Sequence, residues 1–160
     1  MPGRSPIARS LGGLTDLNGN PIVDLGRYRD EWNDSFSFTF IEPAAMTVGE
    51  QAVYSRTTDI AALAHVDMTR RLPQVLISET MRLSGAGDPV LGIWEAAQHR
   101  IVIRRDQLRD LSHFAGTLLH EIGHMASGTA DGTLDFETEL SRLLGLTAAT
   151  ALTTRPLGCR

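Results

Sequence analysis

The stretch His120-Glu121-Ile122-Gly123-His124 constrains this chain more than any other, because it sets two imidazoles four residues apart with a carboxylate between them. At about 3.6 residues per turn, positions i and i+4 share a helix face, so both rings reach one cation while Glu121 stands beside an open coordination position. The flanking residues Thr117, Leu118, Leu119, Ile122, Gly123, Met125 and Ala126 are uncharged, as in a helix buried against a core. A buried histidine pair without a cation would leave ring nitrogens unsatisfied in apolar surroundings. His120 and His124 are therefore expected to bind Zn²⁺. Glu121 is the expected catalytic residue, a general base that takes the proton of a metal-activated water attacking a carbonyl.

Catalytic zinc usually has three protein ligands, and the downstream candidates are Asp131, Asp135, Glu137 and Glu139. Gly128 suits the left-handed cap of the first helix. Asp131-Gly132-Thr133 reads as a turn with an N-cap, and a second helix is expected from about Leu134 to Leu144, with Gly145 stopping it. On that helix Phe136, Leu140, Leu143 and Leu144, widened by Leu134, define an apolar arc that encloses Glu137 and leaves Asp135 and Glu139 outside. A carboxylate directed at a core needs a cation or a proton, so Glu137 is the expected third metal ligand. Asp131 is the rival ligand, and its plain reading is a solvated turn or N-cap aspartate.

With these residues the chain resembles the zincin metallopeptidases, and a glutamate on a second helix resembles their gluzincin branch. In size it is similar to the single-domain minigluzincins, and the wording His-Glu-Ile-Gly-His is similar to the ImmA/IrrE-type peptidases. The gap from His124 to Glu137 is short for a gluzincin, so the two helices must form a tight hairpin. Gly128-Thr129-Ala130-Asp131 resembles the Gly-Thr-x-Asp element of the aspzincins, but Leu134-Asp135 stand where that element continues with Tyr-Gly. It also resembles the Gly-x-x-Asp of the snapalysin type, whose glycine falls one residue earlier. The metzincin pattern fails, because Ala130 stands where its third histidine belongs and no methionine follows Met125.

The resemblance implies a zinc-dependent peptidase acting on a peptide or protein substrate. Its fold would be α+β, with a small mixed sheet packed on the zinc-binding helix and a glutamate-bearing helix following. It also implies that the strand before the metal helix, Ile101 to Arg104, is a sheet edge that pairs with extended substrate. Oxyanion stabilisers in such enzymes are a Tyr, His or Arg beyond the metal helix, and Arg142 is the nearby cation here. From Asn33 through Gly145, above all at Asp30–Phe36 and Ile77–Arg82, the chain further resembles the C-terminal region of bacterial proteins with an Hsp90-like ATPase front half. That likeness implies a module of a stress or defence system.

A chain of 160 residues, 42% of them hydrophobic, accommodates one globular domain, expected over 14–155 between a disordered segment 1–13 and a tail 156–160. Net charge of −4 without a basic block gives no case for nucleic acid. No run approaches membrane-spanning length, and the start Met1-Pro2-Gly3-Arg4 leads to no signal-like apolar region. The single cysteine, Cys159, excludes an internal disulfide framework, so a cytoplasmic location is expected.

Sequence pattern further predicts a hairpin about Asn18-Gly19, a short helix over Arg27 to Asn33, and a strand over Phe36 to Phe40. A capping box at Thr47–Glu50 should start a helix, and a second helical stretch is expected over Asp59 to His65. Strands are expected at Gln74–Ser78, Val90–Trp94 and His99–Arg104, the last two joined as a hairpin. His65 carries no expected chemistry, and His113, two turns before His120, is too far away to ligate. The rival to an enzyme is a zincin-like regulatory or protein-binding module, with a structural zinc or none, docking a partner protein. Glu121 speaks for the enzyme, because a purely structural site gains nothing from a carboxylate at the open position.

Overall fold

Val75 and Ile77 on one segment and Ile101 and Ile103 on another place apolar side chains at every second residue, the period of a strand. A computed structural model describes residues 25–66 and 73–154, together with Thr15, Leu17 and Gly19. The protein is mixed α+β, with a three-stranded sheet of β1 (Gln74–Ser78), β2 (Gly92–Glu95) and β3 (Arg100–Arg104) in the order β1-β3-β2. β1 runs parallel to β3 in a register that pairs Val75 with Ile101 and Ile77 with Ile103. β2 and β3 form the expected antiparallel hairpin.

The four paired apolar residues share a face and are buried together with Phe114, Leu118 and Ile122. Those three recur every four residues along a helix, which makes them a single stripe. β3 is thus the central strand, paired on both sides, and the expectation that Ile101–Arg104 forms the exposed docking edge is corrected. Its three central residues, Ile101, Val102 and Ile103, are fully buried, as suits a strand inside a sheet.

The other elements are α1 (Leu25–Ser35), α2 (Val48–Tyr54), α3 (Thr57–Leu63), α4 (Leu111–Ser127) and α5 (Leu134–Thr154). The capping box before α2 forms as expected: Thr47 Oγ1 accepts from the Glu50 N–H at 3.3 Å, and Glu50 accepts from the Thr47 N–H at 2.7 Å. α4 is the long metal-motif helix. Asp110 caps its start by accepting from the His113 N–H at 2.9 Å, and Gly128 ends it with φ of 67°.

α5 packs against α4 and α3 and does not stop at Gly145. A glycine inside a helix costs about 1 kcal/mol relative to alanine, and here Leu143 is completely buried just before it. Packing therefore carries the helix through.

Among the described residues no ladder forms over Phe36–Phe40. Phe40 makes one antiparallel bridge to Ser78, flanked by the bonds Ile41 N–H to Ile77 O and Glu79 N–H to Thr39 O, both 2.9 Å. Pro43, without an N–H, opens a 3₁₀ turn at Pro43–Ala45 and ends the pairing there.

Contacts divide the chain into two compact units where the sequence reads as one domain. The described part of the smaller unit is residues 25–38 with Thr80–Val90. In it the Asn33 side-chain amide clamps the Leu83 backbone, donating to its carbonyl at 3.1 Å and accepting from its N–H at 3.0 Å. Phe36 and Phe38 meet edge to face at 5.1 Å. The larger unit holds the sheet and α2 to α5.

Among the described residues no helix is long and apolar enough to cross a membrane. Gly19 has φ of 82°, as a tight turn requires, while most of the expected hairpin, the expected tails and Cys159 lie outside the described residues.

Arg105 ties α2 to the loop after β3, donating to Glu50 at 2.7 and 3.0 Å and also to Glu79. Arg105 and then the Thr47 N–H hold the Glu50 carboxyl at about 2. A depressed folded pKa contributes stability that is complete above the unfolded value near 4.5 and is lost as pH falls through about 2. Glu50→Gln keeps a capping side chain and removes only the charge. We expect a modest lowering of melting temperature at pH 7, the site being partly open to water, and a gap that closes as pH falls toward 2.

Candidate metal centre

α4 presents His120 and His124 on one face, as the spacing requires, and the loop after Gly128 folds back so that Asp131 reaches both. The Asp131 Oδ1 lies 3.1 Å from His120 Nε2 and 3.3 Å from His124 Nε2, and the two nitrogens are 3.2 Å apart. The three donors form a nearly equilateral triangle. A tetrahedral Zn²⁺ with bonds of about 2.0–2.2 Å sets its donors roughly 3.3–3.6 Å apart, so the donor types suit that ion and the triangle is slightly tighter than it would require. His120, His124 and Asp131 are the group among the described residues whose ligand atoms converge closely enough to hold a metal.

Supporting contacts fix the rings. His124 Nδ1 lies 2.8 Å from the Thr129 carbonyl, which can only accept, so Nδ1 carries the proton and Nε2 presents its lone pair to the triangle. Phe136, fully buried at the start of α5, stacks on His124 at 4.3 Å and meets His120 edge-on at 4.9 Å. Gly123 makes room for it, since a Cβ there would come within 3.2 Å of the Phe136 ring. The loop is braced by hydroxyls: Thr129 donates to Ser127 at 3.0 Å, and Thr133 Oγ1 donates to the Ala130 carbonyl at 2.9 Å. Thr133, not Asp131, caps α5, accepting from the Phe136 N–H at 3.3 Å. Asp131 is thereby left for the histidines.

Glu137, the expected third ligand, stands exposed on the first turn of α5 and outside the triangle, bearing on His120 through its charge. The arc that placed it inward included Leu134 and Leu144, which are 81% and 52% exposed. The buried arc is centred on Phe136 and Leu143, with Leu140 half-buried, and Glu137 lies roughly 90° from it at about 100° per residue. His113 pairs with Asp110 at 2.7 Å, and Arg142 is held by Glu139 at 2.6 Å.

Glu121 lies beside the histidines and is 5% exposed. The backbone N–H of Trp94 is near enough to favour the charged form of its carboxyl. Burial is the leading influence on it and pushes the carboxyl up to about 7, against the pull of His124 and the Trp94 N–H. Burial likewise pushes His120 downward, toward the neutral ring that a metal requires. Thr129 lies in the Gly-Thr-x-Asp-like element, whereas the contact of Phe136 with both rings carried no motif in the sequence. The glycine of His-Glu-Ile-Gly-His was the one sign of a close neighbour. Comparison with protein families, curated proteins and solved structures finds no match to this chain.

An acid whose folded pKa is raised binds protons more tightly when folded, so its unfavourable burial is felt as pH rises from the unfolded value near 4.5 to about 7. In metal-free protein Glu121→Gln should therefore leave stability unchanged near pH 4 and raise it by roughly 1–3 kcal/mol near pH 8. Urea unfolding of both proteins in chelator at the two pH values measures it. Equal stability at pH 8 would mean that the carboxylate is not desolvated.

Proposed function

We propose that this chain is a zinc-dependent metallopeptidase that hydrolyses peptide bonds, with His120, His124 and Asp131 as the metal ligands and Glu121 as the general base. The observation that carries the reading is the convergence of two Nε2 atoms and one carboxylate oxygen at 3.1–3.3 Å beside a buried glutamate. When bound, zinc supplies a Lewis acid that polarises a carbonyl and acidifies water.

The chain's own residues do the rest. The Thr129 carbonyl fixes the His124 tautomer, Phe136 holds both rings in place, and Glu121 accepts a proton from water and returns it to the leaving amine. Docking of an extended peptide falls to β2, the edge strand beside Glu121, in place of β3. The Asp131 set supports an aspartate-type zincin site rather than the gluzincin set. A cytoplasmic setting and a stress or defence role stand as part of the same proposal.

One observation favours the rival reading, a zincin-like binding module for a partner protein. Arg142, the cation open to an oxyanion role, is held by Glu139 through two bonds of 2.6 and 2.9 Å.

Zinc titration against a competing chelator separates the ligand sets. Asp131→Ala should weaken zinc binding by about 100-fold or more, and Glu137→Ala by less than about 10-fold, the smaller loss suiting a residue that acts only through the field at His120. The reverse order would restore the gluzincin assignment. A peptide-library digest tests the activity: wild type should cleave, and Glu121→Gln should retain one zinc per chain yet lose about 10²–10⁴ in rate. A zinc-loaded wild type that cleaves nothing would leave the module reading.

A further inference from the structure

We infer that Gly92 is the positioning residue for Glu121, the position at which a missing side chain lets β2 lie close enough to α4 to seat the carboxylate. This rests on the peptidase reading of the site. The backbone geometry comes from the hairpin. The Arg104 N–H donates to the Leu91 carbonyl at 2.8 Å, so Leu91 and Arg104 form a hydrogen-bonded pair of the antiparallel ladder. Such pairs alternate, which makes Gly92 opposite Ile103 and Trp94 opposite Ile101 the non-bonded pairs. Their backbone groups point away from β3, toward the open edge. The Trp94 N–H favours the charged form of the Glu121 carboxyl.

α4 and β2 approach closely at Gly92. A Cβ on Gly92 would stand 2.7 Å from Thr117 Cγ2, 2.9 Å from Glu121 Cγ and 2.8 Å from Glu121 Oε1. Thr117 does not yield easily: it is nearly buried, and its hydroxyl donates at 3.1 Å to the Gln107 side-chain carbonyl, itself buried. The movable neighbour is the Glu121 side chain. A methyl group at residue 92 therefore presses first on the general base, because the three atoms nearest the added carbon belong to Thr117 and Glu121 and none to His120, His124 or Asp131.

The test is Gly92→Ala in the zinc-loaded full chain. Zinc content should stay at one per chain and KM within about 3-fold, while kcat falls by about 100-fold, the loss expected when a reacting group is misplaced by roughly 1 Å. Thr117→Ser removes the crowding methyl and keeps the hydroxyl, so adding it to Gly92→Ala should recover at least about 3-fold in kcat. It also provides a folded form should the single variant fail to fold. A kcat within about 3-fold of wild type in Gly92→Ala would overturn the inference, as would a loss explained by missing zinc.

A second measurement does not need activity. The drop in melting temperature caused by Gly92→Ala should shrink in a Glu121→Ala background, where the displaced atoms are gone. Equal drops in both backgrounds would overturn the inference even if the enzyme is active. A shrunken drop in a chain that cleaves nothing would instead place the fault in the peptidase reading.

Discussion

Burial of one face of α4 against the sheet fixes where His120, Glu121 and His124 go. Phe114, Leu118 and Ile122 leave almost no surface exposed, and they lie in one cluster with Val75, Ile77, Ile101 and Ile103. A helix held on that stripe has no rotational freedom, since turning it would expose several apolar side chains at about 1.5–3 kcal/mol each. Glu121 precedes Ile122 and is drawn to the boundary with β2. His120 and His124 fall on the flank that the following loop and α5 can reach. Glu121 and the two imidazoles are thus set apart by the same packing that stabilises the domain.

The hairpin between α4 and α5 completes the site by backbone geometry. Gly128 and Gly132 both adopt positive φ, which turns the chain sharply enough within a few residues to bring Asp131 back over the histidines. Threonine hydroxyls at 129 and 133 satisfy one another and the loop backbone, so the turn keeps its shape without being buried. Phe136 then sits against Gly123, in contact with both imidazoles. In this arrangement Phe136 links the folding of α5 to the orientation of the rings, which is why a core residue bears on the chemistry of a half-exposed centre.

Two expectations failed for related reasons. Preceding the helix of the histidines does not make Ile101–Arg104 a sheet edge: it pairs with β1 on one side and β2 on the other, and its three consecutive buried residues mean that both faces are covered. Glu137 was placed inward because leucines surround it on a helical wheel. Leu134 and Leu144 are exposed, and an apolar residue on a wheel marks a buried face only if something packs there. Both errors concern which neighbour covers an element, a property that local periodicity does not carry.

The sequence by itself determined what depends on a few adjacent residues. Helical pitch puts His120 and His124 on one face, Thr47 and Glu50 close a capping box, Gly128 ends α4, and alternation marks β1 and β3. Only the tertiary structure decided that β3 is central, that α5 continues through Gly145, and that Asp131 and the Thr129 carbonyl meet the histidines while Glu137 stays in solvent. The physical reason is range. Pitch, capping and alternation act over one turn of chain. Ligand convergence and burial depend on which surfaces come together across the fold, and that follows from the apolar area they remove from water.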